Sequence, residues 1–250
     1  MKKILQYIVA VALMLTTTAC EWGGGDYKAE RTLGLRLWQI ASHDLERVNE
    51  IFDFVAQYNH MLNIEDETQR ENYRDTYFSN AIITEYGNIH SLTYVTSYNT
   101  KYCVDVEMYN DRWHITRSGG KGYDLTVTLL ASGRYMARFD KIYNSESTGE
   151  GEFIVEATTT TMSDTPIISY TGTLTMVDPE ENPRKPLTIT TKITEEITYS
   201  SPNSFTSGML TITAYDAVYD STDVAKVTIL KNNSNRVVIE CFDDVYGYDL

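Results

Sequence analysis

Four histidines, His43, His60, His90 and His114, are the first places to look for chemistry. None stands in a His-Glu-x-x-His pattern or in another close pairing that would hold a metal. His43 and His60 fall on one expected helix, nearly five turns apart, too far to share an ion. His114 alternates with Trp113 and Ile115, which reads as the surface of a strand. There is no Gly-x-Ser-x-Gly elbow. Ser118-Gly119-Gly120-Lys121-Gly122 lacks the Gly-Lys-Ser/Thr ending of a phosphate loop and reads as a hairpin turn. Glu195 and Glu196 are neighbours in a strand and so face opposite sides, whereas glycosidase carboxylates face each other across a cleft. Three acidic stretches, 146–152, 178–181 and 243–249, offer the oxygen ligands that Ca²⁺ takes, but in no Ca²⁺-specific spacing. They read as solvated loops. The sequence therefore predicts no catalytic residue, no metal and no cofactor.

Tyrosine is the unusual residue, at 19 copies. Tyr94, Tyr98, Tyr102 and Tyr109 gather on neighbouring expected strands, with Tyr94 and Tyr98 on one face. A tyrosine has an apolar body and a polar tip, which suits stacking on sugars and protein interfaces. These four are the candidate ligand-binding residues; a core-and-rim role is the alternative. Cys103 lies on the polar face of its strand, opposite Tyr102, Val104 and Val106. Cys241 shares the apolar face of Val237 and Ile239. The two thiols are expected on opposite sides of the sheet and unbridged.

These side chains must be held by a helix followed by a long run of strands. Leu37, Ala41, Leu45, Val48, Phe52, Val55 and Leu62 recur mostly at three- and four-residue spacing, which predicts a helix over 27–63. A shorter, mostly polar helix is expected over 65–78, with Tyr73, Tyr77 and Phe78 as anchors. From Ala81 the period drops to two. Twelve strands are expected: 81–86, 91–98, 101–109, 112–117, 123–130, 134–143, 152–161, 166–177, 186–199, 205–215, 223–231 and 235–242. Turn residues separate many of them, and most connections are too short for crossover helices, so the sheet should be an antiparallel meander. The fold class is mainly β with an N-terminal helical segment: residues 27–80 pack on a β domain over 81–250. About a dozen strands should close into a barrel or split into a sandwich. Thr171-Gly172-Thr173-Leu174-Thr175-Met176 echoes Ser207-Gly208-Met209-Leu210-Thr211-Ile212, either as a duplicated hairpin or as one strand solution reached twice.

The net charge is −14, with 21 Lys+Arg against 35 Asp+Glu. That balance argues against nucleic acid as a partner and against electrostatic docking on anionic lipid. The exception to the polar, acidic character is the start. Lys2 and Lys3 precede an apolar run from Ile4 to Leu15, and Thr16-Thr17-Thr18-Ala19-Cys20 follows. This is a signal peptide in form, too short to be a comfortable span. Cys20 after a small residue resembles the bacterial lipoprotein lipobox, with Thr17 where Leu is usual. The resemblance implies cleavage after residue 19 and acylation of Cys20. Residues 20–26 would then be a tether and the membrane a partner through lipid. Glu21, in place of the Asp that retains lipoproteins at the inner membrane, implies the outer membrane, facing the periplasm or the cell surface. With its Thr/Tyr-rich meander, the chain resembles the uncharacterised lipoproteins of Bacteroidetes-type bacteria.

Three functional readings follow. The leading one is a membrane-anchored, non-catalytic binding or accessory module for a glycan or a cell-envelope protein. The second is a lipocalin-like carrier of a small apolar ligand inside a barrel. The third is a hydrolase with scattered carboxylates.

Overall fold

A computed structural model describes residues 25–95, 101–119, 121–131, 133–144, 147–158, 167–178, 187–201, 204–217, 219–230, 236–242 and 244–249. Helix α1 runs from Gly25 to Leu62 and α2 from Glu67 to Tyr77. Asp66 caps α2, its carboxylate accepting from the backbone N–H of Gln69 at 2.8 Å, which satisfies one of the helix's orphan donors. Thirteen strands follow: β1 Ala81–Tyr86, β2 Ile89–Val95, β3 Lys101–Met108, β4 Arg112–Arg117, β5 Tyr123–Ala131, β6 Arg134–Asn144, β7 Ser147–Thr158, β8 Ile167–Asp178, β9 Leu187–Ser201, β10 Ser204–Asp216, β11 Ser221–Ile229, β12 Arg236–Cys241 and β13 Asp244–Asp249. Each pairs antiparallel with the next, in one sheet ordered β1 to β13. The signal segment 1–19, Cys20 and the tether through Gly24 lie outside the described residues; Gly25 and Asp26 already belong to α1.

A flat sheet of thirteen strands at about 4.8 Å spacing would be roughly 58 Å wide. A helix is only about 10–12 Å across. Yet α1 touches nearly every strand: Tyr58 meets His90 of β2 and Trp113 of β4, and Phe52 meets Tyr135, Phe153 and Tyr170 of β6, β7 and β8. Trp38 meets Phe205 of β10, and the helix also contacts β11, β12 and β13. The sheet must therefore curl into a trough with α1 lying along it. The burial pattern of the helix agrees. From Ala41 to Tyr58 the positions that are not buried are Ser42, His43, Glu46, Glu50, Asp53, Phe54 and Gln57, an arc of roughly 120° at 100° per residue. The rest of the circumference faces protein. At its N-terminal half the helix comes so close to β12 and β13 that a side chain on Gly34 would collide with the Tyr246 hydroxyl and the Cys241 Cβ.

The expectation of a barrel or sandwich is corrected here. The sheet is single and not closed: among the described residues no ladder joins β1 to β13. The physical reason is α1, whose side chains fill the concave face while its solvent stripe leaves the trough open. Two acidic stretches read as loops also prove to be strand. Residues 147–152 begin β7, with Glu150 and Glu152 exposed on alternate positions, and 244–249 form β13.

The echo between β8 and β10 has a structural meaning. Gly172 and Gly208 both have positive φ, 156° and 143°, and both sit at register shifts against β9, the strand between them. These are the bends that let long strands follow the curl. A Cβ on Gly172 would overlap the Glu152 carbonyl and Phe153. Gly172→Ala and Gly208→Ala are each expected to cost about 1–3 kcal/mol. Urea unfolding midpoints equal to wild type would show that the curl does not depend on these bends.

Candidate functional site

A concave site opens where the last turns of α1 pass the β5–β6 hairpin and the end of β7. It is a cleft of about 700 Å³. The helix supplies Ala56, Asn59, His60 and Asn63, which share one face by their three- and four-residue spacing. The sheet supplies Tyr135, Glu156 and Thr158 over an apolar rim of Leu129, Leu130 and Ala157. Two polar atoms at this cleft are buried without a partner: the Tyr135 hydroxyl and His60 Nε2. Tyr135 is only 3% exposed. Burial first, and the charge of Asp53 second, hold its phenol above the ordinary tyrosine range, so it stays a proton donor. Asp53 is itself raised by burial, partly offset by the Gln57 amide, which donates to its carboxylate at 2.7 Å.

A smaller pocket of about 220 Å³ lies on the other side of α1, between Arg47, Glu50, Ile51 and Phe54 of the helix and Tyr94, Tyr102, Val104, Arg117 and Tyr123 of β2–β5. Here the structure brings two of the four candidate tyrosines together. Tyr94 and Tyr102 are directly opposite across β2 and β3 and stack with centroids 4.9 Å apart and planes 11° apart. The Arg117 guanidinium lies 4.0 Å from the Tyr102 ring centroid, a cation–π contact.

The other two tyrosines do not join them. Tyr98 lies outside the described residues. Tyr109 stands just past the far end of β3, 48% exposed, donating to Glu107 and covered by Arg112. Seven residues of extended chain separate it from Tyr102, roughly 24 Å.

The histidines separate as well. His43 is on the solvent stripe, 3.8 Å from Glu46. His90 Nδ1 is 2.6 Å from the Tyr58 hydroxyl. His114 stands on the outer face of the sheet, with Nε2 at 2.7 Å from Asp124 and Nδ1 at 3.9 Å from Glu107. Among the described residues no three His, Cys, Asp or Glu side chains are placed to hold a metal. Cys103 and Cys241 form no disulfide with each other, and the second is buried, in line with the strand parity. Burial pushes the Cys103 thiol up, Thr93 works against this, and Asp105 adds to it, so its reactive thiolate is disfavoured. Glu195 and Glu196 are both exposed at the β9 bulge, where Glu196 accepts from Ser169.

Asn59, His60, Asn63 and Tyr135 were not among the candidates read from sequence. A signal did exist: Asn49 and Asn59 interrupt an otherwise apolar helix face with groups that must be hydrogen-bonded where they are buried. Asn49 meets that need inside the core, accepting from the Tyr170 hydroxyl at 2.7 Å while its carbonyl accepts from Tyr199 at 3.0 Å. No protein-family model, curated protein or solved structure matches the chain.

Proposed function

We propose that the protein is an acylated, membrane-anchored binding module, non-catalytic, whose helix–sheet cleft takes a glycan. The observation that carries this reading is the chemistry of the 700 Å³ cleft. Its size suits a small ligand. It combines amide, imidazole, hydroxyl and carboxylate groups with an apolar rim, the mixture that meets a sugar's hydroxyls and its C–H face. An unpartnered buried hydroxyl such as that of Tyr135 costs about 1–3 kcal/mol, which a ligand hydroxyl would recover. Glu156 is the one carboxylate among the described residues lining the cleft, so the paired carboxyl groups of a glycosidase have no counterpart there. The anchor rests on the lipobox-like Cys20. Among the described residues no helix is long and apolar enough to cross a membrane.

A glycan array probed with the full chain in detergent tests the reading. Asn59→Ala and Tyr135→Phe each remove one hydrogen-bonding group and are expected to weaken the captured glycan about tenfold, the order of one lost hydrogen bond. Capture of no glycan, or unchanged affinity in both folded variants, would remove the cleft from the account.

A further inference from the structure

The smaller pocket contains an excess of positive charge that the fold does not neutralise. Arg47 and Arg117 both line it, with Glu50 as the single carboxylate among its described lining residues. One guanidinium charge is thus left over, in a protein whose net charge is −14. A chain with so many acids had every opportunity to place a second carboxylate there. Among the described residues no carboxylate lies within ion-pair distance of Arg117.

The two arginines are also held rather than free. Arg47 has a side chain only 6% exposed. Its Nη1 donates to Glu50 at 2.6 Å and its Nη2 to the Lys121 carbonyl at 2.5 Å. Its Nε–H is buried without an acceptor, and so is the Nε–H of Arg117. Arg117 is placed differently, with its guanidinium carbon 4.0 Å from the centroid of the Tyr102 ring, which stacks on Tyr94. Burial first, and the charge of Arg47 second, lower the affinity of Arg117 for its proton. This is the cost of bringing two like charges together out of water. Two donors without an acceptor, each on a guanidinium whose residue lines the same cavity, form an unfilled half of a charge-assisted hydrogen-bond set.

We infer that this pocket is a binding site for a monoanionic oxyanion group, a carboxylate borne on a ring. Charge selects the valence: one negative charge balances the pocket, whereas a phosphate dianion would leave it negative inside an already acidic protein. Shape selects the group, since a planar carboxylate matches guanidinium N–H donors. The wall selects the carrier. Phe54, Val104 and the stacked Tyr94–Tyr102 pair offer apolar and π surface beside the charge, where a sugar or aromatic ring bearing the carboxylate would lie. The site stands on the opposite side of α1 from the glycan cleft and does not depend on that reading.

The test uses the full chain in detergent, titrated with sodium benzoate and sodium glucuronate against sodium chloride and sodium phosphate at matched ionic strength. Thermal unfolding and the ¹⁵N–¹H correlations of the arginine Nε groups are followed. Both carboxylates are expected to raise Tm above chloride in a saturable way and to shift two Nε–H resonances. Phosphate should fall short of both. Arg117→Gln, which leaves the Arg47 bonds to Glu50 and Lys121 intact, should weaken benzoate at least about tenfold. Arg117→Lys, keeping charge but losing the fork, should fall between. Equal Tm in benzoate, glucuronate and chloride for the wild-type chain overturns the inference without reference to any variant. So does a saturable shift that survives Arg117→Gln. Preferential binding of phosphate overturns the assignment of a monoanion.

Discussion

Phe52→Ala is expected to remove about 3–5 kcal/mol of stability, a large part of the 5–15 kcal/mol that a folded domain commands. Phe52 is fully buried at the midpoint of the trough. Its ring meets Tyr135, Phe153 and Tyr170 edge-on, at centroid distances of 6.3, 5.4 and 5.3 Å, and Phe139 at a tilt, at 6.0 Å. Such pairs add about 0.5–1.5 kcal/mol each beyond the area they bury. Three strands and the helix share this one side chain, so its loss leaves a cavity with stiff walls that cannot collapse on it. Phe52→Leu keeps most of the apolar volume and loses the ring edges, and should cost about 1–2 kcal/mol. Urea denaturation of the three proteins checks the order. A loss below about 1 kcal/mol for Phe52→Ala would mean that the helix is not seated against β6–β8 as described.

The second large effect concerns location. Cys20→Ser is expected to abolish acylation and to move the protein from the detergent to the aqueous phase in a Triton X-114 partition. Each buried methylene of a lipid chain adds about 0.8 kcal/mol, so a multiply acylated cysteine fixes the protein in the membrane. Without it the described residues offer no spanning helix in compensation. Among the described residues the buried core begins at Leu37, so the variant should keep wild-type circular dichroism and melting. Retention of the Ser variant in the detergent phase would sink the lipid-anchor proposal and point to an uncleaved N-terminal segment.

Much of the fold was legible because its signals are local. The three- and four-residue recurrence from Leu37 to Val55 gives α1, and the alternation in Leu187-Thr188-Ile189-Thr190 gives a half-buried strand. Short turns then dictate an antiparallel meander. Closure was not legible. Whether strands meet edge to edge or wrap a helix depends on how wide the helix's buried arc is. That arc includes Asp44, Arg47 and Asn49, residues that a hydropathy pattern assigns to solvent. β13 was missed because Asp244-Val245-Tyr246-Gly247-Tyr248-Asp249 has acids at both ends and a glycine within, so composition read as loop. The sites were least legible. Arg47 and Arg117 meet only through the register of β4 against β3 and β5 and the rotation of α1. Tyr135 reaches Asn59 and His60 only because α1 crosses the β5–β6 hairpin. That Tyr94 and Tyr102 lie on neighbouring strands was legible because this needs only a hairpin, whereas their stacking depends on a register that the sequence reading did not assign.

The close seat of Gly34 against Cys241 and Tyr246 has a consequence in time. α1 is made first, and the strands that receive its N-terminal half are made last. At about 5–20 residues per second, the roughly 200 intervening residues take about 10–40 s to synthesise. Hairpins in the meander form within microseconds, and the C-terminal half of α1 can seat on β2–β8 as they appear, but the contacts of its N-terminal half must wait for the end of the chain. A nascent chain built this way cannot complete its core until its last strands have been made.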